Sequence, residues 1–101
     1  AKKACADNEM RLPTMQELAD VATYIYKQED NPIGVQEHRS NITLDSERAA
    51  ELNWSTTGWD YWSSEPYGSY IAYTRYFGSS YCSWHSGHVG YSSSRARCFS
   101  N

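Results

Sequence analysis

Positive charge is scarce in this sequence. Nine Lys and Arg stand against twelve Asp and Glu, giving a net charge of −3 and a pI near 5.5. Nucleic acid and anionic membranes both select a basic face, so neither is expected as a main partner. Long apolar runs are missing as well. None approaches the ~20 residues of a membrane span, so no membrane insertion by this domain is expected. No leader is recognisable at the start. That leaves a mature or excised piece of a longer chain, or a cytosolic protein. There are only three cysteines, Cys5, Cys82 and Cys98, too widely spaced for a zinc knuckle. No internal repeat and no Gly-x-Ser-x-Gly elbow occur. With 101 residues the chain makes one domain, 1–101. Its core is modest, and a covalent staple would help it.

What the sequence has in excess is aromatic residues and serine. Nine Tyr, four Trp and two Phe accompany fourteen Ser. Tyr, Trp, Ser and Gly form the palette of adaptable binding surfaces, because rigid rings supply contact area at low entropic cost. The same palette suits a twisted antiparallel sheet. Charge and aromatics are segregated. Sixteen of the 21 charged residues lie in 1–51, and thirteen of the 15 aromatics lie in 54–101.

The first half reads as helix. Ala1 to Asn8 are good helix formers with Asn8 as a stop. Pro13 pushes Leu12 toward extended geometry. Thr14 and Glu17 have the capping-box spacing. A helix from Met15 to Lys27 follows, with Met15, Leu18, Val21, Ala22, Ile25 and Tyr26 on one face. Asp30 to Gly34 is punctuation. Positions 35–44 carry little signal beyond a sequon at Asn41-Ile42-Thr43. Asp45 to Leu52 suits a short helix with Asp45 or Ser46 as cap. The second half reads as strands: Tyr61–Ser64 ended by Glu65-Pro66-Tyr67-Gly68, then Tyr70–Phe77, then Tyr81–Trp84 broken around Ser86-Gly87, then Tyr91–Phe99. Helices first and strands after make an α+β domain with a small antiparallel meander. For the cysteines two readings stand. A Cys5–Cys98 bond would close nearly the whole chain and contribute roughly 4–5 kcal/mol in the loop-entropy picture, with Cys82 left over. The other reading is three reduced, buried thiols in a cytosolic domain.

Several stretches together resemble a family. Arg11-Leu12-Pro13-Thr14 with Glu17-Leu18 is similar to an "RLPT..EL" signature, and Tyr61-Trp62-Ser63-Ser64 to a "YWSS" strand. Ala72 with Phe77-Gly78 is similar to an "A….FG" strand and turn, and Arg97-Cys98-Phe99 to a terminal "RC" strand. With Cys5, they resemble bacterial C-type-lectin-like domains at the tips of intimin- or invasin-like and collagen-like surface adhesins. The resemblance covers nearly the whole chain. It implies a C-type-lectin-like fold with two helices packed on a small twisted antiparallel sheet bearing long loops. It also implies the Cys5–Cys98 disulfide, an extracellular or cell-surface setting, and a place at the C-terminal end of a longer protein. The family usually has a strand before the first helix, whereas this chain begins inside that helix.

The resemblance implies recognition rather than catalysis. A non-enzymatic adhesion domain would bind a host-cell or bacterial-surface glycan or protein receptor through loops around 58–69 and 79–91. Trp59, Tyr61, Tyr67, Tyr81, Trp84, His85 and His88 lie in or beside these loops, and Asp60 adjoins them. Trp and Tyr faces stack on sugars and dominate protein hot spots. About half of the second-half rings are expected to be exposed, with Trp54 and Trp62 in the core and Trp59 and Trp84 on the surface. Arg75 is expected either to read an acidic ligand group or to pair with Glu65.

No cofactor is implied. The calcium-dependent lectins of this fold use Glu-Pro-Asn and Trp-Asn-Asp, whereas Glu65-Pro66 is followed here by Tyr67 and only Asp60 follows Trp59. Two carboxylates in that half fall short of a calcium shell of six to eight oxygens. Cys82, His85 and His88 would meet at a zinc ion only if a loop followed Trp84. Two other readings stand beside adhesion: an assembly or docking domain at the tip of a pilus or fibre, and a metal-dependent hydrolase.

Overall fold

A computed structural model describes residues 2–54, 58–90 and 94–100. Its helices are α1 (Lys2–Asp7), α2 (Met15–Ile25) and α3 (Ser46–Glu51). Its strands are β1 (Met10–Arg11), β2 (Arg39–Ser40), β3 (Trp59–Gly68), β4 (Ile71–Phe77), β5 (Tyr81–His88) and β6 (Phe99–Ser100). The strands pair antiparallel throughout, so the class is α+β.

The start of α2 shows why the Arg11-to-Glu17 stretch has its composition. Thr14 Oγ1 accepts from Glu17 N at 3.1 Å, and Glu17 Oε1 accepts from Thr14 N at 2.9 Å, a complete capping box. The same carboxylate takes both Arg11 guanidinium nitrogens, at 2.5 and 2.6 Å. Leu12 is buried, and the Pro13 carbonyl accepts from Ser64 N on β3 at 2.8 Å. Arg11 holds the Glu17 carboxyl down at about 2, helped by the Thr14 donors and opposed by desolvation. A depressed folded-state pKa contributes stability that is fully present above about 4.5 and is lost as pH falls toward about 2. Urea midpoints measured from pH 7 to 2 are therefore expected to fall below pH 4.5. Glu17→Gln should flatten that decline, and an unchanged acid limb in this variant would contradict the assignment.

The helix stops two residues before the sequence suggests. Tyr26 leaves helical geometry and Lys27 turns left-handed at φ 55°, where Gln28 N closes back on Thr23 O at 2.9 Å. Of the two candidate caps of α3, Asp45 takes the role and accepts from Arg48 N at 2.9 Å.

The main sheet has the order β2-β5-β4-β3, and β1 with β6 forms a separate two-stranded ribbon. Three strands, β3, β5 and β6, differ from the sequence reading by more than one residue. β3 does not end at Glu65-Pro66 but runs through to Gly68, with register shifts on either side of Pro66. Pro66 has no N–H to give a ladder, and an edge strand with bulges tolerates that. β5 does not break at Ser86-Gly87; both pair with β4, opposite Tyr73 and Ala72. The final segment is a two-residue strand, preceded by an isolated bridge between Tyr61 and Arg95, while Tyr91 lies outside the described residues. β1 and β2 carry no sequence signal because two-residue strands are too short to show alternation.

Cross-strand register sorts the side chains into two faces. Tyr61, Arg75 and Trp84 share one face with Phe77 and Cys82. That face packs on α2, forming a core with Met15, Leu18, Ala22, Ile25, Tyr26 and Trp54. Trp62 lies on the opposite face, in a smaller cluster with Cys5, Leu12, Ala72 and Cys98. Cys5 and Cys98 form a disulfide with their Cα atoms 5.4 Å apart, and Cys82 is a buried free thiol.

Arg75 does not pair with Glu65, nor does it face solvent. It is 0% exposed. Its guanidinium donates to the carbonyls of Gly34, Val35 and Glu37 at 3.0–3.1 Å and to Cys82 Sγ at 3.4 Å. Glu65 instead accepts from Met15 N at the start of α2.

Candidate functional site

The residues expected to bind are dispersed by the sheet register. Trp59 and Trp84 are half-buried and pack against the main core rather than standing on the surface. The Arg95 guanidinium lies 4.1 Å over the Trp59 ring. Trp84 packs between His38 and Tyr73, with ring centroids at 6.0 and 5.7 Å. Tyr61 is 4% exposed, stacked on Trp54 at 4.4 Å. Among the described second-half rings only Tyr67, Tyr70 and Tyr81 are exposed, fewer than half. The rest cover one another.

Asp60 and His85 meet on the face away from α2. His85 Nδ1 lies 2.9 Å from Asp60 Oδ1, and Thr74 Oγ1 donates to the same oxygen at 3.4 Å. Tyr76 packs its ring 5.7 Å from His85 and 5.2 Å from Tyr81. Asp60 and His85 are partly exposed and engage each other through Oδ1 and Nδ1, while Thr74 beneath them is buried. Because β5 stays a strand through His88, Cys82 faces the core, His85 faces away, and His88 lies at the far end of the strand. The loop that zinc would need after Trp84 is not there. Among the described residues no group of three His, Cys, Asp or Glu converges.

The other end of the sheet is different. Here the register shifts on either side of Pro66 adjoin a pocket of about 260 Å³. Leu12, Trp62, Pro66, Ile71 and Ala72 form its apolar wall, with Val89 opposite. Tyr70 is 68% exposed and Val89 59% exposed in its lining, whereas Tyr67, 53% exposed at the same end of β3, does not line it and packs its ring edge-on against Tyr73 at 5.1 Å. Tyr70 stacks on His88 at 6.1 Å, and Val89 N donates to Tyr70 O at 2.9 Å, which holds the two turns together. Of the expected residues, only Tyr67 and His88 lie at this end, whereas Tyr81 sits at the opposite one. The sequence reading missed Tyr70, Val89 and the pocket itself. Pro66 inside a run of strand residues was the available signal, since it demands a bulge or an edge.

No protein-family model matches the chain, and neither curated proteins nor solved structures give a match.

Proposed function

We propose that this is a non-enzymatic recognition domain of an extracellular or cell-surface adhesin, with a C-type-lectin-like fold, that engages its receptor with the hairpin end of the sheet. The observation that carries the reading is the pairing of Tyr70 and Val89, both more than half exposed, at an apolar pocket, with a third exposed ring, Tyr67, at the same end of the sheet. Monomeric proteins seldom leave large apolar groups together on the surface without a use for them. The Cys5–Cys98 disulfide supports an oxidising compartment. Among the described residues no helix is long and apolar enough to cross a membrane. Receptor binding would proceed without calcium. A host-cell or bacterial-surface glycan or protein is the receptor class.

The test is binding of the labelled domain to host and bacterial cells. Tyr67→Ser with Tyr70→Ser is expected to weaken binding about tenfold or more, as for the loss of hot-spot rings, with the thermal midpoint unchanged. A chelator is expected to leave binding intact. Unchanged binding by the folded double variant places the contact surface elsewhere.

A further inference from the structure

The lining of the hairpin pocket restricts what it can hold. At about 260 Å³ it is below the ~300–1,000 Å³ of pockets for drug-sized ligands, so it has room for one ring-sized or branched group. Among the described residues no Asp, Glu, Lys, Arg, His, Asn or Gln lines it. A charged group entering would be desolvated without a counter-ion. A sugar ring would bring several hydroxyls that need partners, and the side-chain partners in the described lining are the hydroxyls of Ser63, Ser64, Ser69 and Tyr70. Ser63 Oγ already donates to Tyr73 O at 2.7 Å and accepts from Glu65 N at 3.1 Å. The neighbouring Glu65 carboxylate is engaged by Met15 N. The larger part of the described lining is the apolar surface of Leu12, Trp62, Pro66, Ile71, Ala72 and Val89.

We propose that this pocket receives a single uncharged apolar side chain, such as leucine or tryptophan, presented by a protein partner. The inference rests on the recognition reading and narrows its receptor from glycan or protein to protein. An apolar group gains burial and leaves no polar atom unpaired. Tyr70 and Val89 then close around the docked side chain and exclude water, as a hot-spot rim does. Since the pocket lining is uncharged, the contact should vary little with salt.

The experiment is an amide chemical-shift titration of the isotopically labelled chain. The probes are N-acetyl-leucinamide, N-acetyl-tryptophanamide, N-acetyl-argininamide and methyl glucoside. One of the two apolar amides is expected to shift Ser64, Ser69, Ile71, Ala72 and Val89 with a saturating Kd of about 1–50 mM. Ala72→Leu, which fills the pocket, and Val89→Glu, which charges its rim, should each weaken this about tenfold. If Ala72→Leu does not fold, Val89→Glu at the exposed rim keeps the test. Saturable shifts from the glucoside or the argininamide at these residues, or none from either apolar amide, overturn the proposal. In those outcomes loss of cell binding by the Tyr67 and Tyr70 double variant would still uphold the recognition reading. A saturating apolar amide with cell binding unaffected by that variant would separate the two the other way.

Discussion

Replacing Cys5 and Cys98 together by alanine is expected to lower the unfolding free energy by about 4–5 kcal/mol, from the chain-entropy cost of the long loop that they close. Native disulfides of small domains typically cost 2–5 kcal/mol to remove. The bond spans 93 residues of sequence, so nearly all of the chain is restrained in the unfolded state. A domain of this size has a total stability of roughly 5–15 kcal/mol, so the loss takes a large share of it. Packing works in the same place: Cys5 is 0% exposed against Leu12 and Trp62, and β6 pairs with β1 one residue beyond Cys98. Guanidinium unfolding of the oxidised protein, the reduced protein and the double variant measures the effect. The last two should fall together. Reduced protein within 1 kcal/mol of oxidised protein would contradict the assignment.

Arg75→Met is expected to destabilise the domain by about 3–5 kcal/mol, the range for breaking a buried charge network. The guanidinium gathers three carbonyls of the 34–37 segment and ties them to β4, with no carboxylate ion pair among the described residues. Methionine fills much of the same volume but leaves those buried carbonyls without a donor. Arg75→Lys keeps the charge, but one ammonium cannot span acceptors on Gly34, Val35, Glu37 and Cys82, so it should recover less than half of the loss. Cys82→Ala is the control. It removes the sulfur contact at 3.4 Å together with the sulfur's packing in the core, but leaves the three carbonyls their donor, and should cost about 1–2 kcal/mol. Chemical denaturation of the three variants distinguishes these outcomes. Near wild-type stability for Arg75→Met would show that water satisfies the segment.

Local chemistry determined much of this molecule. Thr14 with Glu17, Asp45 before α3, and the apolar stripe from Met15 to Ile25 act within a few residues, so caps and helices could be read directly. The segregation of charge from aromatics likewise announced helices first and strands after. Trp54 and Trp62 were expected in the core and are 6% and 7% exposed.

The binding surface was less legible, because exposure of a ring depends on its cross-strand neighbours. Trp59 looks available in the sequence, yet Arg95, far along the chain, covers it. Arg75 looks like a surface reader, yet register with Tyr61 and Trp84 turns it inward, where carbonyls from the unpatterned 34–37 stretch meet it. The sequence by itself determined the class, the helices and the three long strands β3, β4 and β5, since those follow from short-range periodicity and capping. Only the tertiary structure decided which aromatics stay exposed and where the pocket opens. Both depend on the β3 bulges around Pro66 and on pairing between distant strands, and the energy of such pairing is spread over residues that no local pattern connects.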